Sequence, residues 1–334
     1  MLNIIRMDFA RMMRSKSQYI LWIVMAGLLI LTTATMGSEF RDPKASAENW
    51  ATIQDQAGES AENLGMYVTI PTKPGEKATL YDLFYGNVQG KVEAIFVVIF
   101  AVLFATSDIR CGYIKNIGGQ CKRRSSLVLS KAVNLLIYTV LTFVIALLVQ
   151  AVSNQIFFGY LEIGPVSELS AYVAVQILLH YALALIVMAI AIMISNNLIS
   201  MTLAILMCMN MTMLLYAMIE KGIHSLFDKN VDLVTHTVTG SISFLQAHGS
   251  SDALFKASLV AVIYGVINLV LLGNCSISCR ERVRTEGEAR MSLKESLQCA
   301  VKSRSWILLC VIGACVMVVM ILQNQSIMYY SKYI

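Results

Sequence analysis

Residues 132–152 read "AVNLLIYTVLTFVIALLVQAV", a run of 21 residues without a single charge. Crossing the hydrocarbon of a bilayer takes roughly 20 mainly apolar residues in helical form. Six further stretches of similar character follow the same rule. They are 19–36, 90–107, 169–194, 198–219, 254–273 and 306–323. The second is the weakest, because Glu93 stands near its start. Only residues 195–197 separate the fourth and fifth in chain order, which predicts a tight helical hairpin. Charged residues make up 14% of the chain and the mean hydropathy is +0.66. A soluble domain carries about a quarter of its residues as charges, so this chain has too few to cover a water-facing surface. The sequence is that of an integral membrane protein: all-α, polytopic, with seven spans. Its first span reads as a signal anchor rather than a cleaved signal, being longer than a signal core and lacking an A-x-A site after it.

Lys and Arg set the orientation, because short cytoplasmic loops accumulate them. Segments 1–18, 108–131, 195–197 and 274–305 together hold 17 of the 26 bases and 6 of the 21 acids. That bias predicts a cytoplasmic N-terminus and, with seven spans, an extracellular C-terminal tail (324–334). Cysteines fall in or beside spans or in the basic segments, which gives no disulfide framework. Cys275 and Cys279 form a C-x-x-x-C pair without a nearby His, better explained as small residues at a helix end than as metal ligands.

Ahead of the first span, "MLNIIRMDFARMMRSKSQ" (1–18) sets Leu2, Ile5, Phe9, Met12 and Met13 on one helical face. Asn3, Asp8, Arg11 and Arg14 fall on the other. This is the pattern of an interfacial helix, with basic side chains toward anionic lipid headgroups; Phe9, Arg11, Met12, Arg14 and Lys16 are its candidate functional residues. Residues 37–90 form an external segment with an alanine-rich helical part, a strand-like "MYVTI" and a Pro/Gly turn. Its eight acids against four bases suit a cationic ligand or simply a solvated surface. The loop 220–253 carries His224, His236 and His248 without acids or cysteines placed to complete a metal site. Its stretch "LVTHTVTGSISFLQAHGSS" is apolar enough to dip into the membrane face. Within the spans, His180 is the sole titratable group near a midpoint, with Gln176 one turn before it. A lone His among Asn residues reads as a helix–helix contact, which argues against proton or sodium coupling.

No phosphate loop, H-E-x-x-H or G-x-S-x-G is present, so the chain by itself does not read as an enzyme. Between the second and third spans, "SDIRCGYIKNIGGQCKRRSSLVLSK" (107–131) carries six bases against one acid. Asp108, Gly112, Lys115, Ile117, Lys122 to Arg124, and then Ser130–Lys131 make up its pattern. Together with "DFARMMRSKSQYILW" before the first span, this resembles the permease subunit of type-2 ABC exporters. The resemblance implies a six-span exporter core (19–273) that works as a homo- or heterodimer with two separate ATPase subunits supplying ATP and Mg. No cofactor binds the chain directly, and nucleic acid has no place in the picture. It further implies that the basic loop docks on the ATPase, with Ile114 and Ile117 as apolar contacts and Lys115, Lys122, Arg123 and Arg124 paired to acids. Asp108 and Gly112 complete that coupling set. The expected setting is a bacterial plasma membrane, and the expected cargo an amphipathic peptide of the lantibiotic or antimicrobial kind, a drug or a lipid-like molecule. Two features depart from the pattern: the seventh span with its basic linker (274–305), and Gly118–Gly119 inside the coupling loop, each costing about 1 kcal/mol in a helix. A non-transporting membrane sensor or assembly partner, and an ion-coupled carrier, are the alternative readings.

Overall fold

The computed structural model describes residues 2–41, 68, 70–73, 75–110, 125–194, 196–209, 211–227, 233–247 and 249–278, with the isolated positions 47 and 50. Among these residues the chain is all-helical, without strands. Its helices are α1 (Leu2–Arg14), α2 (Lys16–Arg41), α3 (Leu80–Gln89), α4 (Val92–Arg110) and α5 (Ser125–Phe157), followed by α6 (Val166–Ile194), α7 (Asn197–Cys208), α8 (Met211–Phe227), α9 (Val238–Phe244) and α10 (Ser251–Ser278). Within α2, α5, α6 and α10, four stretches are long and apolar enough to cross a membrane. A fifth span arises if α3 and α4 up to Ser107 are taken together, as two helices bent by 52° at a short break. The chain is therefore a helical membrane protein. Of the remaining expected spans, 198–219 is divided between α7 and α8, and 306–323 lies outside the described residues, as does most of the helical part of the external segment.

The bundle is held by apolar faces that turn inward while the opposite faces stay bare. Leu148, Val152 and Ile156 on α5, and Phe255, Val262 and Val270 on α10, are more than half exposed, as helices facing lipid must be. Small residues line the buried faces of α6 and α10: Ala182, Ala184, Ala191, Ala257 and Ala261. They allow the close approach that drives helix association in lipid, and α6 and α10 form the most extensive helix pair. Helix α6 ends at Ile194 and α7 begins at Asn197, within the break expected at 195–197. Asn196 caps α7, its side-chain oxygen accepting from the amides of Leu198 and Ile199.

The segment 80–89 departs from expectation. Placed in the external segment 37–90 as its return to the membrane, it is a helix buried on all sides, from Leu80 through Val88. Its start is built by a capping box: Thr79 Oγ1 accepts from the Asp82 amide, and the Asp82 carboxylate accepts from the Thr79 amide. The Leu80 amide donates to Glu162 O at 2.7 Å in the α5–α6 loop. Gly164, at φ +81°, lies under Thr79, where a Cβ would come within 3.2 Å of its hydroxyl. Asp82, counted among the external acids, is thus a buried capping group.

The apolar stretch in the 220–253 loop becomes α9, whose Val238–Ile242 face is buried and which packs on α6, α10 and α3. Gly240 makes this possible. A Cβ there would sit 1.9 Å from Val234 O, so only hydrogen fits. Gly240→Ala is expected to lower stability by about 1–3 kcal/mol through overpacking, read as a lower thermal midpoint of the purified chain in detergent.

Candidate functional site

Two places gather polar side chains inside the bundle. The first is on the side where α1 lies. The helix α1 packs along α5, and the buried part of its surface is Asp8 and Met12, at 3% and 1% exposure, while Leu2 and Phe9 remain open. The sequence had put Asp8 on the solvent-facing side. It is turned inward because it has a partner there: Ser130 Oγ donates to Asp8 Oδ2 at 2.6 Å. Arg11 Nη1 reaches Asp8 Oδ1 at 3.5 Å, and Asn134 Nδ2 donates to Ile5 O at 3.3 Å. Leu2 and Phe9 are left free for lipid, and Arg14 and Lys16 are exposed beside them.

Lys131, the next residue after Ser130, works in the other direction. Its ammonium donates to Phe104 O at 2.6 Å and Ala105 O at 3.4 Å, and lies 4.9 Å from the centre of the Phe104 ring. A cation near the C-terminal end of a helix is favoured by the helix dipole, and the ring adds a cation–π contact. A ladder of rings backs this joint. Phe104 stacks on Phe100, Phe100 on Tyr138, and Tyr138 on Trp22, whose indole N–H donates to Thr142 Oγ1 at 3.0 Å. The dipeptide Ser130–Lys131 therefore ties α1 to α5 and α5 to α4, while the ladder brings in α2.

Of the coupling residues read from sequence, Asp108 falls in the final turn of α4. Gly112, Ile114, Lys115, Ile117, Lys122, Arg123 and Arg124 lie outside the described residues, so their arrangement is not part of this geometry. The structure adds Asp8, Ser130 and Lys131, of which sequence had offered only the last two, without a role.

The second place is at the bend between α3 and α4. Gly90 and Lys91 make the break, with Lys91 at φ 57°, a left-handed conformation rare outside Gly, Asn and Asp. Taken as one bent stretch, Leu80–Ser107 has Glu93 at its middle rather than at the edge of an apolar run. Lys91 is 1% and Glu93 0% exposed. His180, on the neighbouring α6, is also fully buried, its ring edge-on to Phe143 at 4.8 Å. His180 is thus not alone as a buried titratable group: Lys91 and Glu93 are buried as well. Lys91 acts electrostatically on His180 and on the buried Cys208 at the end of α7. Glu93 acts on Tyr172, which accepts a hydrogen bond from Gln176 Nε2 at 3.0 Å. The sequence signal was there to be found: Tyr81, Phe84, Tyr85 and Val88 follow the i, i+3, i+4, i+7 rule of a packed helix, which would have extended the span and centred Glu93. Among the described residues no group of three or more His, Cys, Asp or Glu converges as a metal centre would.

The joint at Ser130 generates a direct expectation. A hydrogen bond to a charged group is worth about 1.5–3 kcal/mol. In Ser130→Ala, amide exchange across α1 should therefore be roughly ten- to a hundredfold faster, with α6 and α10 unchanged, as read by hydrogen-exchange mass spectrometry.

No curated protein matches the chain. A protein-family model described as "Protein of unknown function (DUF2705)" matches residues 52–278, from before α3 to the end of α10, more than half of the sequence. The match takes in the bend, the basic loop and Ser130–Lys131 and leaves α1 and α2 outside. By that coverage the chain belongs to the DUF2705 family.

Proposed function

We propose that this chain is the permease subunit of an ATP-driven exporter of the type-2 ABC kind, working in a dimer of such subunits with two ATPase subunits. The observation that carries the reading is the Ser130–Lys131 joint. The dipeptide was singled out by the resemblance at the point where the basic loop enters the third expected span. It physically connects the three helices that a force on that loop would need to move. The loop runs from the end of α4 to the start of α5, Lys131 clamps α4 to α5, and Ser130 carries the interfacial helix α1 with them. A pull by an ATPase on residues 111–124 would be shared among rigid elements rather than dissipated in a flexible linker.

In this reading α1 and the basic loop face the cytoplasm of a bacterial cell, the C-terminal tail lies outside, and ATP and Mg are bound by the partner. The cargo is amphipathic, of the peptide, drug or lipid-like class. A second reading is favoured by a specific observation: the buried Lys91, Glu93 and His180 are the intramembrane ionisable groups an ion-coupled carrier needs.

Affinity purification of the tagged full chain from its native membrane is the test. An ABC ATPase is expected to co-purify, and its ATP turnover to change in the presence of the chain. Replacing Ile117 by Asp together with Lys122, Arg123 and Arg124 by Ala should abolish that association while the chain stays in the membrane. Association unaffected by these changes, or transport that survives ATP depletion and collapses with an ion gradient, would overturn the exporter reading.

A further inference from the structure

At the bend between α3 and α4, the unpartnered atoms share one chemical character. Glu93 has both carboxylate oxygens buried without a hydrogen-bond partner among the described residues. Gln176 Oε1, on the facing helix α6, is in the same condition, its amide nitrogen being used on Tyr172. His180 stands one turn further along α6. Its Nδ1 lies 2.8 Å from the Gln176 carbonyl oxygen, an acceptor, so the ring proton is on Nδ1. Nε2 is left with a lone pair, buried and unpartnered. All four atoms accept and none donates.

A buried polar atom costs a few kcal/mol without a partner, and an ionised carboxylate costs much more. An acceptor-only set needs donors from outside it, and at the carboxylate a proton or a cation also offsets the buried charge that a neutral donor would leave. The charges already nearby do not fill that role. Lys91, buried two residues before Glu93, makes no hydrogen bond to either Glu93 oxygen. On the other elements packed against α4, Asp82 and Glu168 stand at helix starts far from the bend, and Lys131 is held by the α4 carbonyls at the opposite end. Tyr19, with Lys16, belongs to the α1 end of α2, and Glu39 and Arg41 to its other end. The titratable side chains left around the bend are Tyr81, Tyr85 and Tyr172, with Tyr138, Tyr181 and Cys208 further round the bundle.

We propose that Glu93, with Gln176 and His180, forms a buried intramembrane site for a single positive charge, taken up at the Glu93 carboxylate as a proton or as an alkali cation. The helix break supplies the means. An unbroken helix would bond each carbonyl to the amide four residues on, whereas the break at Gly90–Lys91 lets the two half-helices meet at an angle beside the carboxylate. Broken helices at mid-membrane are where ion and substrate sites are built in other membrane proteins. This site is a property of the chain alone and does not depend on an ATPase partner.

The test uses the purified full chain in detergent, without ATP or any partner, so that its outcome is separate from that of the exporter reading. Infrared difference spectra report a protonated carboxyl directly, and thermal midpoints in NaCl against choline chloride report an alkali cation. If the ligand is a proton, wild type shows a carboxylic-acid C=O band at neutral pH that is lost in Glu93→Gln and displaced in Glu93→Asp. If it is an alkali cation, the midpoint of wild type rises with sodium or potassium concentration, and Glu93→Gln no longer responds. Should Glu93→Gln fail to fold, the band position in Glu93→Asp and the cation titration of wild type still decide. A wild-type chain with neither the band nor a cation response carries an ionised, unliganded Glu93, and the proposal falls.

Discussion

Hydrocarbon offers backbone amides no partners, so a chain in the bilayer can break a helix only where the protein itself covers the break. The bend between α3 and α4 meets that demand with local bonds. The Gly90 amide donates to Gly86 O, the Lys91 amide to Val88 O, and the Ile95 amide to Lys91 O. What lies around the bend follows from it. Tyr81, Phe84 and Tyr85 of α3 close over Tyr172 of α6 in a set of edge-on and tilted ring contacts. The Tyr81 hydroxyl donates to Ala247 O beyond α9, and Gln89 donates to Ser243 O at 2.9 Å. The short helix α9 is thereby fixed against α3, and Gly240 gives the turn before it room to fold under. Without the bend these contacts would have no common meeting point.

The same side-chain economy governs the polar residues of α3. Asp82 is consumed by the capping box and Gln89 by Ser243 and Tyr85. Asn87 bonds to Leu83 O and to Thr32 of α2, at 3.0 and 2.8 Å. Asp82 and Asn87 can be buried because each has a partner. Glu93, just past the bend on α4, is a charged group buried without such a partner, and a buried group that breaks the rule is where function is expected.

At the α1 end the logic is mechanical. One dipeptide points a hydroxyl at the interfacial helix and an ammonium at the neighbouring span, because successive residues of a helix project about 100° apart. Asp8 could be brought into the bundle only because Ser130 and Arg11 meet both of its oxygens. An apolar residue at position 8 would pack, but would lose the directional bond that sets the helix's register on α5.

The sequence by itself determined the membrane class, the long spans of α2, α5, α6 and α10, and the Asn196 turn between α6 and α7. Each rests on local rules of hydropathy and capping that need no partner. It also marked Ser130–Lys131, though not what either residue holds. Tertiary structure alone decided that 80–89 is buried, that Glu93 is fully buried beside the bend, that Asp8 faces inward, and that 198–219 divides at Met209. These outcomes turn on whether a polar side chain finds its complement on a helix distant in sequence, and single-chain hydropathy counts a satisfied Asp or Asn the same as a solvated one. The burial of Glu93 was hidden for that reason: the helix before it carries polar residues whose partners appear only when the helices meet.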